Sequence, residues 1–454
     1  MKSIKKFVKM KTFAMFAIAL IFSAGVNAQN QTLTLKDALN YALKNKADAK
    51  KANLEVENSE YQIQEVRSRA LPQISLNGAL NYNPIIQETA LPGEVFGQPG
   101  TTVLVPFGQE WSSTGSVSVT QALFDYSVFT GLKAAKSTRE FYILNKELTD
   151  EQVIEKVSNS YYQIYIQKQK LAIVDSTLNN TLRVKNIISG QYENGLAKKI
   201  DLDRTNVKVS NLNSQRQQLQ NAVTLQENSL KFLIGMPIAT PIEIPRAEFE
   251  AVPQILAETP DTSRRTEYLL LKKQETLLEF QKESVVAGYY PTLSLSGNYG
   301  YQGLGSKLPY FAKPADGVYW SDYASIGLNL KIPIFTGFST RSKVRQAEVD
   351  LKKIAADLED TKLSLDLDYE NAKSQITNTL LTINSQKENM TLAQSVLDDT
   401  RNNYQQGLTS LTDLLDAENA LTEARNNYSN SLLDYKLAEI QLIKSRGELK
   451  TLLN

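Results

Sequence analysis

Apolar and polar residues alternate with a period of two in three stretches of the chain. In residues 73–82, the apolar Ile74 and Leu76 begin a series of alternate positions, and small polar residues fill the positions between them. Residues 292–301 and 325–334 alternate in the same way. This period predicts β-strands with one apolar and one polar face, each about ten residues long, enough for a tilted strand to cross a bilayer. A soluble sheet packed on a helix would give the same alternation.

The longest stretches between these strands carry a seven-residue pattern instead. Residues 125–236 and 334–454 contain no proline and are rich in Leu, Ala, Gln, Lys, Glu and Asn, which favours long helices. From Leu414 to Leu449 a large residue recurs at every seventh position, and the residues three positions later are small except for Leu452. Large and small residues at these two positions, which we call the seam, predict close helix packing of the coiled-coil type. A helix over about 125–193 would extend roughly 100 Å.

The second half of the chain repeats the patterns of the first half. Residues 72–82 match residues 291–301 without a gap, and the segment around Gly195 matches the segment around Gly407. Because both order and spacing recur, we predict an internal tandem repeat.

The repeat and the distribution of proline predict four segments. The first has a basic start, a ten-residue apolar run too short to span a bilayer, and small residues at a cleavage site. The segments are a signal peptide over 1–28; a first repeat over 29–236 with a helix, a strand pair at 72–124 and long helices at 125–236; a proline-rich connector over 237–260; and a second repeat over 261–454 with a helix, a strand pair at 291–335 and long helices at 337–452.

Composition excludes several classes of enzyme and binding site. The 454 residues include no cysteine and no histidine, which excludes thiol and imidazole catalysis, disulfides and an ordinary zinc site. A net charge of +1 gives no electrostatic reason to expect nucleic acid. The glycine-rich residues 300–307 have the wrong Lys and Ser order for a phosphate-binding loop, so we predict that they end a strand and enter an exposed loop. We therefore predict no enzymatic activity, no cofactor, no metal and no nucleic-acid partner.

The only two tryptophans, Trp111 and Trp320, occupy equivalent positions near predicted strand ends. They precede the strand positions Ser116 and Ser325 by five residues each, and several tyrosines crowd the same ends. Such aromatic residues are typical of the lipid–water boundary. The polar strand face is uncharged except for Lys331, which suits a wet lumen. Because four strands cannot enclose water and open edges are not tolerated in lipid, several chains would have to form one barrel.

Two strand-to-helix transitions and one helix-turn motif are the most specific features of the sequence. The transitions read QALFD at 121–125 and PIFTG at 333–337, and the motif reads YQQGL at 404–408 followed by DLLDAE at 413–418. Together they resemble the TolC-like outer-membrane efflux protein family over essentially the whole mature chain. The resemblance implies a mainly α protein with membrane β-structure: a homotrimeric 12-stranded β-barrel, four strands per chain, continued by a long α-helical coiled-coil tunnel.

The resemblance also implies a location and partners. The barrel would lie in the cell outer membrane and the helical part in the periplasm, where a periplasmic adaptor protein and an inner-membrane pump would dock. The function implied is that of a passive conduit in tripartite efflux or type I secretion. A structural or adhesive cell-envelope coiled-coil protein without transport activity remains the alternative, because a spacer needs neither an uncharged inner strand face nor an acidic entrance.

Acidic residues follow the glycines at the predicted turns between antiparallel long helices. Gly195 and Gly407 fit such a reversal because glycine accepts a positive φ. Asp413 and Asp416 lie three residues apart and therefore share a helix face. In a trimer they would place six carboxylates around a narrow entrance, where like-charge repulsion would raise some pKa values.

With the resemblance, Tyr404 and Asp201 join Asp413 and Asp416 as predicted residues of a periplasmic gate. For Asp413 a capping arrangement with Ser410 is an equal alternative on the sequence alone. Asp416 has no obvious capping role and is the better gate candidate.

The chain departs from the family pattern just after its second turn glycine. Family members often carry a basic residue there, whereas this chain has Thr409 and Ser410, so the corresponding tie across the closed entrance is in doubt. Lys198 and Lys199 follow the first glycine instead. They could pair with acids on a neighbouring helix, although solvation is the expected state of at least one of them.

Overall fold

The computed structural model describes residues 31–245, 261–312 and 314–453. The predicted signal peptide and residues 246–260 of the predicted connector lie outside the described residues. The chain forms two compact units. Of the described residues, the helical unit comprises 31–51, 148–245, 261–262 and 364–453, and the sheet unit comprises 52–147, 263–312 and 314–363.

Very long α-helices dominate the described part of the chain. The two longest have 68 and 67 residues, against a usual mean of about 12. Within the described ranges, none of the helices combines the length and the apolar character that a transmembrane span requires. The helices are α1 (Leu35–Asn45), α2 (Ala47–Ser68), α3 (Tyr126–Glu193), α4 (Lys199–Ile234), α5 (Thr266–Val286), α6 (Ser339–Gln405) and α7 (Leu411–Ser445).

Helix boundaries differ from the predicted ones in two places. The single helix predicted before the first strand pair is two helices, because Lys46 adopts an extended conformation and its Nζ donates to the Phe232 carbonyl at 3.3 Å. The last helix ends at Ser445 rather than 452. Gly447 has a φ of 74° there, and a short 3₁₀ turn over Leu449–Leu453 follows.

The predicted seam of α7 packs into the core of the helical unit. Leu414, Leu421, Tyr435 and Leu442 are buried, and small residues such as Ala417 lie beside them. Close approach of the helices is possible because every large seam residue has a small neighbour three positions along.

Eight β-strands form three small sheets in the described residues. Four antiparallel strands in the order β2-β5-β7-β8 form the main sheet, which belongs to the sheet unit. The strands are β1 (Gln31–Thr32), β2 (Gln73–Tyr82), β3 (Glu88–Pro92), β4 (Thr102–Pro106), β5 (Trp111–Phe124), β6 (Ile242–Glu243), β7 (Thr292–Gly305) and β8 (Val318–Lys331).

The strand register keeps the predicted faces aligned across the main sheet. Leu76 pairs with Val117, and Val117 pairs with Tyr299 on its other side, so the apolar positions share one face. Asn77 pairs with Ser116 on the opposite, polar face. The predicted amphipathic strands are therefore confirmed, and three of the four are longer than expected, at 14 residues. β8 starts earlier than predicted and ends at Lys331, so residues 332–334, predicted to continue this strand, lie beyond it.

Two small strand pairs were not predicted. The long connection between β2 and β5 contains the hairpin β3–β4, in which Leu91 pairs with Val103. Residues 242–243, inside the predicted connector, pair in parallel with β1. Both pairs are too short to leave a clear periodic signal in the sequence.

The glycines of 300–305 lie in the last six residues of β7, which then enters the loop before β8, so the prediction that they end a strand and enter a loop is confirmed. Gly300 and Gly303 face aromatic rings across the β7–β8 pair. A Cβ at Gly300 would lie 2.3 Å from the Tyr323 ring, and a Cβ at Gly303 would lie 2.6 Å from the Trp320 ring. These glycines make room for the rings, as cross-strand glycine–aromatic pairs do.

Candidate functional site

The polar face of the main sheet is lined with small neutral side chains. Their hydroxyl and amide groups bond across strands: Ser75 Oγ lies 2.7 Å from Ser118 Oγ, and Asn329 Nδ2 donates to Ser296 Oγ at 3.0 Å. Lys331, the last residue of β8, is the only Asp, Glu, Lys or Arg on this face of the four strands. A hydrated surface of this kind tolerates water and many solutes without binding any of them tightly.

The opposite face exposes large apolar side chains on both edge strands. Ile326 is 86% exposed, and Ile74, Leu76 and Leu328 are also largely exposed. Edge strands β2 and β8 each have one unpaired side in the chain. An apolar face, a neutral polar face and two open edges are what one chain would contribute to a shared membrane barrel.

Both tryptophans lie on the apolar face, at the strand ends that enter the longer loops. They are inside the strands rather than before them, as the first residue of β5 and the third of β8. The Trp111 ring lies 4.5 Å from that of Tyr82, and the Trp320 ring stacks on Tyr301 at 5.0 Å. Pairing of Tyr323 with Gly300 places that tyrosine on the polar face instead.

Two turns in the helical unit reverse the chain with nearly identical backbones. Gly195 connects α3 to α4 and Gly407 connects α6 to α7, and each has a φ of 74°. The next residue in each turn donates its N–H to a carbonyl five positions earlier, at 2.7 Å for Leu196 and 2.9 Å for Leu408. This is the bond expected where a left-handed residue ends a helix.

At the second turn, the Asp413 carboxylate completes the capping box of α7. Its Oδ2 accepts from Ser410 Oγ at 2.7 Å, from Thr409 Oγ1 at 2.8 Å and from the Ser410 N–H at 3.0 Å. The Asp413 N–H donates to Ser410 Oγ at 3.2 Å. The bonds from Ser410 and then Thr409 lower the pKa of Asp413. The capping alternative is therefore present, and a gate role for Asp413 remains a prediction.

The other predicted gate residues lie around the same turns. Asp416 is exposed one turn further along α7. Tyr404 is half-buried, and burial, followed by the charge of Asp201, raises the pKa of its phenol.

Two basic residues of α4, which the sequence analysis did not single out, connect α4 to α7. Arg204 Nη1 donates to Thr412 Oγ1 at 2.8 Å, and Lys208 Nζ donates to Asn419 Oδ1. Their spacing of four residues, which puts them on one helix face, is the signal that was available. Lys198 and Lys199 are both exposed, and neither contributes an ion pair to the described part of the chain.

Glu418 is the other site residue that sequence reasoning missed. It is only 4% exposed, and its Oε2 has no hydrogen-bond partner among the described residues. Burial raises the pKa of Glu418, while the charges of Arg401 and Lys208 and the Thr181 hydroxyl act in the opposite direction. The seam residue Ala417 directly precedes it, so its position next to the seam could have predicted its burial.

A half-open groove of about 650 Å³ lies beside the second turn. Glu418 and Leu414 form part of its wall, and Tyr404 and Arg401 form another part. The groove belongs wholly to the helical unit. It shows that the helices around this turn are not fully packed against one another in the chain.

Comparison with known proteins identifies the family of this architecture. The family model described as "Outer membrane efflux protein" matches residues 38–236 and 280–448. Each matched segment contains two of the long helices and the whole of two strands of the main sheet.

Three similar proteins agree with this match. The chain is 24% identical to the outer membrane protein TolC of Vibrio cholerae, over 84% of this chain and 83% of that protein. It is 23% identical to the alkaline protease secretion protein AprF of Pseudomonas aeruginosa, over 73% of this chain and 69% of that protein. The crystal structure of the outer membrane protein VceC from Vibrio cholerae has a TM-score of 0.71 and 17% identity, over 91% of this chain and 96% of that one. The fold is therefore the mainly α, TolC-like one, and the chain belongs to the outer membrane efflux protein family.

Proposed function

We propose that this protein is a passive export conduit of the outer membrane, serving a tripartite efflux or type I secretion system and catalysing no reaction. The observation that carries the proposal is the main sheet, whose apolar face is exposed and whose polar face is small and almost uncharged. A coiled-coil spacer would need no such sheet. The family is one of outer-membrane channel proteins, which supports this assignment.

The conduit is a homotrimer. Four strands with two unpaired edges cannot enclose water, whereas three copies provide a closed barrel of 12 strands. Exposed apolar side chains along the helical unit support the same assembly, because they need cover from another copy. They are Leu367, Leu381, Leu392 and Val396 on α6 and Val207 and Leu225 on α4.

The two helix turns form the periplasmic end of the conduit, where a periplasmic adaptor protein and an inner-membrane pump dock. Leu196 is 81% exposed and Leu408 is 71% exposed, at equivalent positions of the two turns. Exposed leucines at a helix tip support contact with another protein there. Asp413, Asp416, Tyr404 and Asp201 form the constriction at this end.

The first test is the state and conductance of the purified protein. We expect a trimer that requires detergent and that produces stable current steps in planar lipid bilayers. A monodisperse monomer in buffer without detergent, or a trimer that never conducts, would overturn the proposed function.

The second test concerns the constriction and separates it from the helix cap. Replacing both Asp413 and Asp416 by Ala should weaken block by multivalent cations added from the periplasmic side and lower cation preference, because converging carboxylates attract counter-ions. Ser410→Ala is the matched control, since it disrupts the cap and keeps both carboxylates. Equal block in the double variant and the parent would assign the two carboxylates to helix capping alone.

The third test locates the membrane boundary. Trp111→Phe and Trp320→Phe each leave a single tryptophan, whose fluorescence should be quenched by brominated lipids if both rings lie near the lipid surface. Insensitivity of both variants to brominated lipid would remove the barrel assignment of the sheet.

A further inference from the structure

A single charged side chain on the polar face of the main sheet has no role in the function described so far. Lys331 ends β8 and pairs with Thr292 at the start of β7. We propose that Lys331 provides an anion-attracting site in the lumen of the channel. Three copies form a cationic ring at the end of the barrel lumen nearest the helices, and the ring attracts solutes that carry phosphate, sulfate or carboxylate groups. This inference rests on the trimeric conduit proposed above.

Nothing in the sheet compensates the charge of Lys331. Asp322 is the only acid in the four main strands, and its pairing with Tyr301 places it on the apolar face. Among the described residues, Lys331 is exposed and forms no ion pair within 4.0 Å. Asp125, which follows β5, accepts from the Ser127 N–H at 2.8 Å and from Ser127 Oγ at 2.7 Å, so its carboxylate already has partners.

Assembly would not neutralise the lysine by strand pairing either. β8 is an edge strand, so in a closed barrel it pairs with β2 of the next copy. β2 reads QISLNGALNY and contains no charged residue. No acid on the pairing strand therefore faces Lys331, whose neighbours on the polar face are Ser, Thr, Asn and Gln side chains that can orient solutes only weakly.

The size of the lumen makes such a ring effective. With strands about 4.8 Å apart and tilted by about 40°, a 12-stranded barrel has a wall roughly 12 Å from its axis. Lysine side chains shorten that distance further, and the Debye length is about 10 Å at 0.1 M salt and about 30 Å at 0.01 M. The three fields therefore overlap across the lumen at low salt, as in pores where Lys or Arg rings favour anions.

The ring and the proposed acidic constriction have opposite signs at different places in the conduit. A cation meets its attractive site at the helix turns and a repulsive one in the barrel, and an anion meets the reverse. The two sites can be probed separately, because a polyanion is attracted to one and a multivalent cation to the other.

The experiment uses the full-length trimer in planar bilayers, with inositol hexakisphosphate added on the barrel side as a polyanionic probe. The parent should be blocked at low salt, and Lys331→Gln should raise the half-blocking concentration by about tenfold or more while shifting the reversal potential towards cations. Lys331→Arg should behave like the parent. Lys307→Gln is the matched control, because it removes the same charge from the exposed loop between β7 and β8.

Moving the positive charge to another position of the polar face gives a test that does not depend on Lys331→Gln alone. Ser325 lies on the same polar face, and Ser325→Lys alone should strengthen the polyanion block, whereas adding it to Lys331→Gln should restore the block. Unchanged block and selectivity in Lys331→Gln, with normal conductance, would overturn the role of Lys331 and leave the conduit intact. A parent that neither conducts nor forms trimers would overturn both proposals.

Discussion

The two helix turns have almost the same backbone and very different side-chain chemistry. Both glycines have a φ of 74°. In each turn the glycine N–H donates to the carbonyl three positions earlier, and the N–H of the next residue donates to the carbonyl five positions earlier. At the second turn, Ser410 and Asp413 cap α7. At the first turn, the equivalent of Ser410 is Lys198, which provides no side-chain cap although Asp201 stands where Asp413 does. The turn geometry is thus shared, while the means of satisfying the helix start is not.

This difference teaches that duplication preserved the backbone and left the side chains free to specialise. The second turn also has the buried Glu418, at a position occupied by Asn206 in the first half. The first half instead supplies Arg204 and Lys208, which reach across to α7. Acceptors and donors therefore lie on opposite halves, and the two turns become one interacting unit.

The largest expected effect tests the shared backbone. Gly195→Ala and Gly407→Ala should each destabilise their own turn by about 1–2 kcal/mol, since a Cβ strains the left-handed conformation. A Cβ would meet nothing within 4 Å at either glycine, so the two costs should be equal. Hydrogen exchange of the amides that follow each turn measures the local stability.

Gly190 provides the control for this pair. It lies inside α3 and has no positive φ, and a Cβ at this position would meet no atom within 4 Å. Gly190→Ala should therefore stabilise the helix by about 0.5–1 kcal/mol. Clearly unequal costs at Gly195 and Gly407 would show that the turns differ in more than their side chains.

The next effect tests the cap that only one turn has. Ser410→Ala should destabilise the start of α7 by about 1 kcal/mol, because it removes the acceptor of the Asp413 N–H. Lys198→Ala should leave the start of α4 nearly unchanged. A larger increase in exchange over the parent at the start of α4 in Lys198→Ala than at the start of α7 in Ser410→Ala would contradict the assigned caps.

A smaller gain is expected from giving the first turn the same cap. Lys198 has a φ of −83° and a ψ of 146°, which suits a serine at the helix start, and Asp201 already stands three residues later. Lys198→Ser should slow exchange at the start of α4 by an amount worth about 0.5 kcal/mol. Lys198→Ala is the control, because it removes the lysine without adding a capping hydroxyl. Equal exchange in Lys198→Ser and Lys198→Ala would show that the serine and Asp201 form no capping box.

The smallest effects come from two acids at the second turn whose pKa values are shifted in opposite directions. Burial raises the pKa of Glu418 above its ordinary value of 4.5, so the folded form gains stability as pH falls through the raised pKa towards 4.5. Hydrogen bonds lower the pKa of Asp413 below 3.8, so the stability it adds is complete above 3.8 and is lost as pH falls through the lowered pKa.

Glu418→Gln should remove the stability gained as pH falls towards 4.5 and should leave the stability loss below pH 3.8 unchanged. Ser410→Ala should reduce the acid loss and leave the upper window unchanged. Local stability around 408–418, obtained from hydrogen exchange corrected for intrinsic rates, measures both. A gain above 4.5 that survives in Glu418→Gln would assign it to another group.

The sequence by itself determined the architecture, because the signals for it are periodic and local. Period-two alternation gave the strand faces, the seven-residue seam gave the buried side of α7, and the glycines of the turns appear at matching places in both halves. The position of Asp413 three residues after Ser410 was likewise a local pattern, and it offered both a cap and a gate without deciding between them.

Tertiary structure alone decided what depends on register and on distant partners. The burial of Glu418 and the reach of Lys208 to Asn419 require α4 and α7 to lie side by side, which no local pattern encodes. The fit of Gly303 under Trp320 likewise depends on the β7–β8 register. The sequence already showed that Lys331 is the only charged residue on the polar strand face. Which neutral side chains lie beside it was decided by the pairing of the strands, because pairing determines which side chains of neighbouring strands are adjacent.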